Sequence, residues 1–398
     1  MSVRGSVSIG RLRICKMECG SLASCPKGEC TNYLSLHAEK LDDLVILVNN
    51  KVYHIIGLFS CLVLITTLIQ ASQAIQISCK NSEQYLPCQC LEDLDTENKY
   101  LYCDDNNIER IYKVFDSLPE NCNFTKVSIY AKAKYLRKSF MGDAKVTNVQ
   151  LNLRGLKTVH SQALEGQENS MEWFELSNTL LSSVPTRIIK NLQMLKTFSV
   201  KKSKEIEIIG ENSFEGMPAT KTIEDLNYAS NNIKVLEKGA FSHLQNLKMI
   251  VLTGNHIKKI RAHSFPENMR TLKSFFLGDN GMEKFPFDQK FMDAFPRHGL
   301  LDLSKNEFTI INNNFFRDII KKGITLNLDG NKLACDCNFI TVVAAIENHR
   351  GYLFQGECST PRYLKGKKLS NLTRREFPKT CKISEKDLKA IMQLQFTF

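Results

Sequence analysis

Residues 223–233, 247–257 and 272–282 read IEDLNYASNNI, LKMIVLTGNHI and LKSFFLGDNGM, one pattern three times over at a period of about 25 residues. Each copy sets apolar residues two apart, Leu226 and Tyr228, Ile250 and Leu252, Phe275 and Leu277, as a short strand buried on one side requires. An asparagine follows where the chain must turn, at Asn231, Asn255 and Asn280. A single unit cannot bury its apolar face, so the units must stack into a solenoid, with their strands forming one long parallel sheet.

The register runs outward through Ile129, Leu151, Leu176, Val200, Tyr228, Leu252, Leu277, Leu303 and Leu328, giving about nine repeats over residues 123–333. The turn position is Asn231, Asn255, Asn280, Asn306 and Asn331 in the later units, but Lys132, Arg154, Thr179 and Ser203 in the earlier ones. An amide offers donors and acceptors together and can satisfy buried backbone groups at each corner; Lys or Arg must leave that work to water or neighbouring turns. The return segments carry Phe140, Phe214, Phe241, Phe265 and Phe315, expected to stack as an internal column.

Side chains between the buried strand positions point outward onto the concave face. One such column reads Lys126, Asn148, Trp173, Thr197, Asp225, Met249, Ser274, Leu300, Thr325, and its neighbour Ser128, Gln150, Glu175, Ser199, Asn227, Val251, Phe276, Asp302, Asn327. On a surface expected to be wet, Trp173, beside Glu175, and the group Met249, Val251, Phe276 and Leu300 are candidate partner-binding residues. A slip of register or a covering loop would make them core instead.

Cysteines bracket the repeats: Cys79, Cys88, Cys90 and Cys103 in residues 75–122, and Cys335, Cys337, Cys358 and Cys381 in residues 334–381. End units need covers, since their apolar core would otherwise meet water. Four cysteines allow three connectivities, and the Cys-x-Cys spacing also fits zinc. Acceptor sequons at Asn123-Phe124-Thr125 and Asn371-Leu372-Thr373 and a preceding apolar segment favour disulfides in an oxidising compartment. That segment, Tyr53–Ile69 within residues 53–74, ends in small residues at Ser72 and Ala74 suited to cleavage before Ile75. Uncleaved, it is just long enough to anchor a type II membrane protein with the repeats outside. Residues 1–52, with Cys15, Cys19, Cys25 and Cys30, are read as a disordered leader or an extension upstream of the true start. Residues 382–398 are too charged for a membrane span, and Ser384 opens a short helix with Leu388, Ile391 and Met392 on one face.

With Pro87-Cys88-Gln89-Cys90 before the repeats and Asn331-Lys332-Leu333-Ala334-Cys335-Asp336-Cys337 after them, the chain resembles the extracellular leucine-rich repeat family, an α/β repeat solenoid with cysteine caps at both ends. The resemblance implies pairing of Cys79 with Cys90, Cys88 with Cys103, Cys335 with Cys358 and Cys337 with Cys381. The Cys79 to Cys88 spacing is longer than that family's usual one. Within it, the Pro-Cys-x-Cys segment and irregular early repeats are similar to the arthropod secreted proteins typified by the non-catalytic subunit of Oplophorus luciferase. That likeness implies a chain that associates with another polypeptide and supplies no active-site residue.

Catalysis finds no support in motif or spacing. Histidines 160, 243, 256, 263, 298 and 349 are scattered, and no phosphate loop, dinucleotide fingerprint or Gly-x-Ser-x-Gly occurs. Cys122 has no locatable base and is expected to pair near the N-terminal cap or with another chain. No cofactor is expected. The partners expected are an extracellular protein at the concave face or, given a net charge of +11, a glycosaminoglycan; nucleic acid is not expected, and a membrane only if residues 53–69 are uncleaved. Three functions follow: a secreted non-catalytic scaffold, a membrane-tethered adhesion or receptor ectodomain, or a matrix-binding protein.

Overall fold

The computed structural model describes residues 85–383, apart from 94–95, 97, 120–121, 311–312 and 349–353, together with residues 385 and 389 and four short strands of the leader. The chain divides into two units, Met1–Cys79 with Leu91–Asn98, and Lys80–Cys90 with Lys99–Phe398. In the first, Val3–Arg4, His37–Ala38, Leu44–Val48 and Lys51–Ile55 pair antiparallel in chain order. Cys79, the remainder of Tyr53–Ala74 and the tail helix foreseen from Ser384 lie largely outside the described residues.

The solenoid is a twelve-stranded sheet whose spatial order follows the chain. Its strands are β1 (Cys88–Glu92), β2 (Lys99–Asp105), β3 (Asn123–Lys132), β4 (Lys145–Arg154), β5 (Trp173–Ser177), β6 (Thr197–Lys201), β7 (Asp225–Asn227), β8 (Met249–Val251), β9 (Ser274–Phe276), β10 (Leu300–Asp302), β11 (Thr325–Asn327) and β12 (Phe354–Gln355). From β2 onward every neighbour is parallel. The foreseen register holds, with Ile129 opposite Leu151, Leu151 opposite Leu176 and Leu176 opposite Val200, each fully buried. The sheet reaches beyond residues 123–333 at both ends, because β2 and β12 join it in parallel register.

The later corners are built by the asparagines. Asn306, 3 % exposed, donates through Nδ2 to the carbonyls of Leu277 (3.1 Å) and Leu303 (2.9 Å), and its Oδ1 accepts from Asn280 N (3.0 Å) and Met282 N (3.1 Å). Asn231, Asn255, Asn280 and Asn331 repeat the arrangement, each bonding to its own strand and to the preceding one. The residue before each corner adopts a left-handed backbone: Asn178, Lys202, Ser230, Gly254, Asp279, Lys305 and Gly330. At Gly254 (φ 71°) the bend itself favours glycine.

The early corners find other solutions. Thr179 and Ser203 join hydroxyls at 2.7 Å, and Ser203 N donates to Asn231 Oδ1, carrying the ladder into the first half. Lys132 and Arg154 are the last residues of the ten-residue strands β3 and β4 and stand opposite each other as their final pair. The turns that follow bond to one another, Ala133 N donating to the Arg154 carbonyl (3.1 Å) and Lys157 N to that of Lys134 (3.0 Å), so neighbouring turns serve these positions.

Behind the sheet, Phe140, Phe214, Phe241, Phe265 and Phe315 are all buried. Phe214, Phe241 and Phe265 meet in sequence with tilted rings, and Phe291 and Phe287 carry the contact on toward Phe315. Phe140 instead meets Phe115 of helix α1 (Ile108–Ser117), at 6.2 Å. This helix begins at the Asn107 cap, which accepts from Glu109 N, and buries Ile108, Ile111, Tyr112, Val114 and Phe115 at helical spacing. Two further helices, α2 (Gln289–Ala294) and α3 (Asn313–Lys322), line the returns of the later repeats. Lys322 reaches from α3 to the carbonyls of Met292 (2.5 Å) and Asp293 (2.7 Å), satisfying orphan acceptors at the end of α2. Burial lowers its pKa from the ordinary lysine value.

Beyond the repeats, Asp336 caps Cys337–Phe339, which leads into α4 (Ile340–Asn348). Phe316 of α3 stacks on Phe354 at 4.7 Å and meets Phe339, covering the end of the apolar interior. Cys335 is bonded to Cys358 and Cys337 to Cys381, while at the other end Cys88 is bonded to Cys103. Cys90 is also disulfide-bonded.

Candidate binding face

Strand pairing places the two outward columns as read. Met249 stands opposite Ser274 and Ser274 opposite Leu300; Val251 stands opposite Phe276 and Phe276 opposite Asp302. The buried partners between them are Ile250, Phe275 and Leu301, at 1 % exposure or less, so the alternation of faces is unambiguous. Met249, Val251, Phe276 and Leu300 are each half-buried on β8, β9 and β10. With strands about 4.8 Å apart, the four span a patch about 10 Å wide on the concave side. Ser274 and Asp302 interrupt it, and the polar pairs Thr325 and Asn327 and Asp225 and Asn227 flank it. That is an apolar centre with a polar surround.

Trp173 lies three strand steps from Met249, about 14 Å away. The two therefore do not form one cluster. Lys126 Nζ sits 5.8 Å from the Trp173 ring centroid, and Tyr102 and Tyr130 meet at 5.5 Å on β2 and β3. Those tyrosines make the N-terminal end of the concave face aromatic. Tyr102 escaped the sequence reading because β2 precedes the first recognisable repeat, and Tyr130 because it lies one outward position beyond the two columns read there.

Glu175 is drawn beneath the surface, at 6 % exposure. Its carboxylate holds Lys201 Nζ at 2.7 Å and accepts from Gln150 Nε2 (3.3 Å) and Ser199 Oγ (3.4 Å). These bonds tie β4, β5 and β6 together and leave little of the carboxylate for a partner. Asp225, next to Met249 in its column, has its pKa raised by burial and by the neighbouring Glu224, with Thr197 and Lys248 opposing. A carboxylate there is held partly out of water and close to like charge.

Both sequon asparagines, Asn123 and Asn371, are exposed, at opposite ends of the solenoid. Cys122 is half-buried and unpaired within the chain, which corrects the expected pairing near the cap and leaves the expected pairing with another chain as the alternative. Burial raises its thiol pKa, with Lys99 opposing, which is the wrong direction for an activated nucleophile. Among the described residues, no three His, Cys, Asp or Glu side chains gather as a metal site would require, and no helix is long and apolar enough to cross a membrane.

The parallel strands, the asparagine corners and the covered ends define a leucine-rich repeat solenoid. Residues 221–282 match the family model described as leucine rich repeat, and residues 113–227 match the BspA type leucine rich repeat region. These matches support the leucine-rich repeat family for the chain. Keratocan of Gallus gallus is 30 % identical over 131 residues, which is 32 % of this chain and 35 % of keratocan. The chain thus spans about a third of the length of that curated relative. Among solved structures, a chain of the octameric complex of Latrophilin 3, Unc5D and FLRT2 (LRR) superposes with a TM-score of 0.50 at 17 % identity, covering 71 % of this chain and 90 % of the other. Human 5T4, the trophoblast glycoprotein, gives a TM-score of 0.46 at 17 % identity, covering 75 % and 99 %. At these identities the likeness is one of fold.

Proposed function

We propose that this chain is a secreted, non-catalytic scaffold that binds an extracellular protein through its concave sheet, with Met249, Val251, Phe276 and Leu300 at the centre of the contact. The observation that carries the reading is that these four apolar side chains face outward in adjacent register, flanked on the neighbouring strands by Asp225, Asn227, Thr325 and Asn327. Apolar anchors inside a polar rim are where binding free energy concentrates. The reading is supported by a chain of this fold that forms part of an octameric complex of Latrophilin 3, Unc5D and FLRT2 (LRR). Disulfides in the solenoid and exposed sequons support an oxidising compartment. The arthropod resemblance extends the reading to an accessory subunit, whose partner supplies the chemistry.

The test compares secreted chain with Phe276→Asp, Leu300→Asp and, on an exposed position away from the concave strands, Lys238→Asp. Quantitative capture from the native extracellular fluid should show a polypeptide lost with the first two variants and retained with the third. Capture that ignores Phe276 and Leu300, or a Phe276→Asp chain that fails to fold, would sink the proposal. N-terminal sequencing decides secretion against tethering: cleavage before Ile75 supports the soluble form, and retention of Tyr53–Ile69 the anchored one.

A further inference from the structure

Residues 362–382 contain eight Lys and Arg against a single Glu, so this short segment carries seven of the chain's net +11 charges. The fold gathers that charge at the C-terminal end of the solenoid. Lys367 pairs with Glu376, tying the loop at 362–368 to the one at 374–382, and buried Leu369 and Leu372 anchor the link between them. Arg374 is taken up by Glu347 of α4, with Nε at 2.5 Å and its backbone N at 2.7 Å from the carboxylate. Glu357 stands opposite Lys368 in an isolated antiparallel bridge. Arg362, Lys365, Lys368, Arg375, Lys379 and Lys382 are exposed and carry no ion pair among the described residues. Beside them lies an open cleft of about 530 Å³, with Ile340, Phe377 and Pro378 on its apolar side and Arg374, Arg375 and Lys379 at its exposed rim.

We infer that this end of the molecule binds a sulfated polysaccharide. Six unneutralised cations on two loops, tied by an ion pair and by the Cys335–Cys358 and Cys337–Cys381 bonds, form a broad, fixed positive surface. Such a surface complements an extended polyanion better than a single phosphate, and attraction of this kind comes chiefly from counterion release. In an oxidising extracellular compartment, sulfated polysaccharides are the extended polyanions available. The inference rests on that compartment and is independent of the concave patch. Asn371 emerges between Lys368 and Arg374, so a glycan there would stand at the edge of the same surface.

Surface plasmon resonance on immobilised heparin, with full-length secreted protein, tests it. The triple variant Arg375→Gln, Lys379→Gln, Lys382→Gln and its counterpart Arg362→Gln, Lys365→Gln, Lys368→Gln should each weaken binding by about tenfold or more at about 0.15 M salt, with a shallower salt dependence. Unchanged near-ultraviolet circular dichroism would show that the fold survives. Replacing Lys201, Lys202 and Lys204 by Gln should leave heparin binding intact, as should Phe276→Asp. Asn371→Gln should bind as well as, or better than, the parent chain. The inference is overturned if both triple variants bind like the parent, if the Lys201 run proves to carry the binding, or if unsulfated hyaluronan or phosphatidylserine vesicles bind as tightly as heparin. Loss of protein partner with retained heparin binding, or the reverse, separates a failure of the concave reading from a failure of this one.

Discussion

Tyr228 takes the place that Leu252, Leu277, Leu303 and Leu328 take in the following repeats, and it brings a hydroxyl into the core. The side chain is fully buried, and its oxygen has no hydrogen-bond partner. The ring itself is well placed, parallel to Phe241 at 6.3 Å and edge-on to Phe198 at 6.0 Å. Its backbone takes part in the asparagine ladder, the carbonyl accepting from Asn231 (3.0 Å) and Asn255 (2.9 Å). Tyr228→Phe therefore keeps the ring contacts and the ladder and removes only the unpaired oxygen. An unsatisfied buried polar group costs about 1–3 kcal/mol, so the substitution should stabilise the protein by about 1 kcal/mol or more. For a solenoid of this size that corresponds to a rise in Tm of about 2 °C. Guanidinium unfolding followed by far-ultraviolet circular dichroism should show a higher midpoint with an unchanged slope. Tyr228→Leu, which restores the residue type of the neighbouring repeats, should instead cost about 2–3 kcal/mol, because two ring contacts vanish and a cavity remains. The reasoning is refuted if Tyr228→Phe destabilises by about 1 kcal/mol, as it would if a buried water satisfied the hydroxyl.

The asparagine ladder predicts a gradient along the chain. Asn306→Ala leaves Asn280 N and Met282 N without their acceptor, while the Leu277 and Leu303 carbonyls keep the amides of Asn280 and Asn331, and should cost about 2–3 kcal/mol. Ser203→Ala, which breaks hydroxyl bonds while its backbone N stays on Asn231, should cost about 1 kcal/mol in the same denaturation assay. Asp225 adds a pH dependence. Its folded pKa is raised, so the native state binds the proton more tightly than the unfolded chain, and ionisation destabilises the fold. Asp225→Asn should raise Tm at neutral pH, with the gain fading as pH falls through the raised pKa and vanishing below the ordinary carboxylate value. A gain that persists in acid would contradict this assignment.

The legible parts of the molecule were those repeated locally. A residue such as Leu252 meets its counterparts one period before and after, so a period in the chain becomes a register in space, and Met249, Val251, Phe276 and Leu300 could be put on the outward face by counting alone. Where the repeat was degenerate the reading thinned. Lys132 and Arg154 looked like defective corners and proved to be strand residues, because the length of β3 and β4 is set by pairing with each other. Helix α1 was missed as part of the solenoid, although Ile108, Ile111, Tyr112 and Phe115 recur at helical spacing.

The amino-acid order was thus sufficient for the solenoid, its strand register and the identity of the residues facing either side, since nearest-neighbour stacking turns periodicity directly into geometry. The tertiary structure alone decided what those residues are free to do. Glu175 was a surface candidate by position, yet Lys201, at the end of the next repeat's strand, withdraws it from the surface. Short basic runs looked unremarkable one by one, and only folding, through Lys367–Glu376, Arg374–Glu347 and the cysteine bonds, shows which cations are neutralised and which remain exposed together. Charge pairing and desolvation depend on where flexible side chains end in space, and a period in the backbone does not encode those positions.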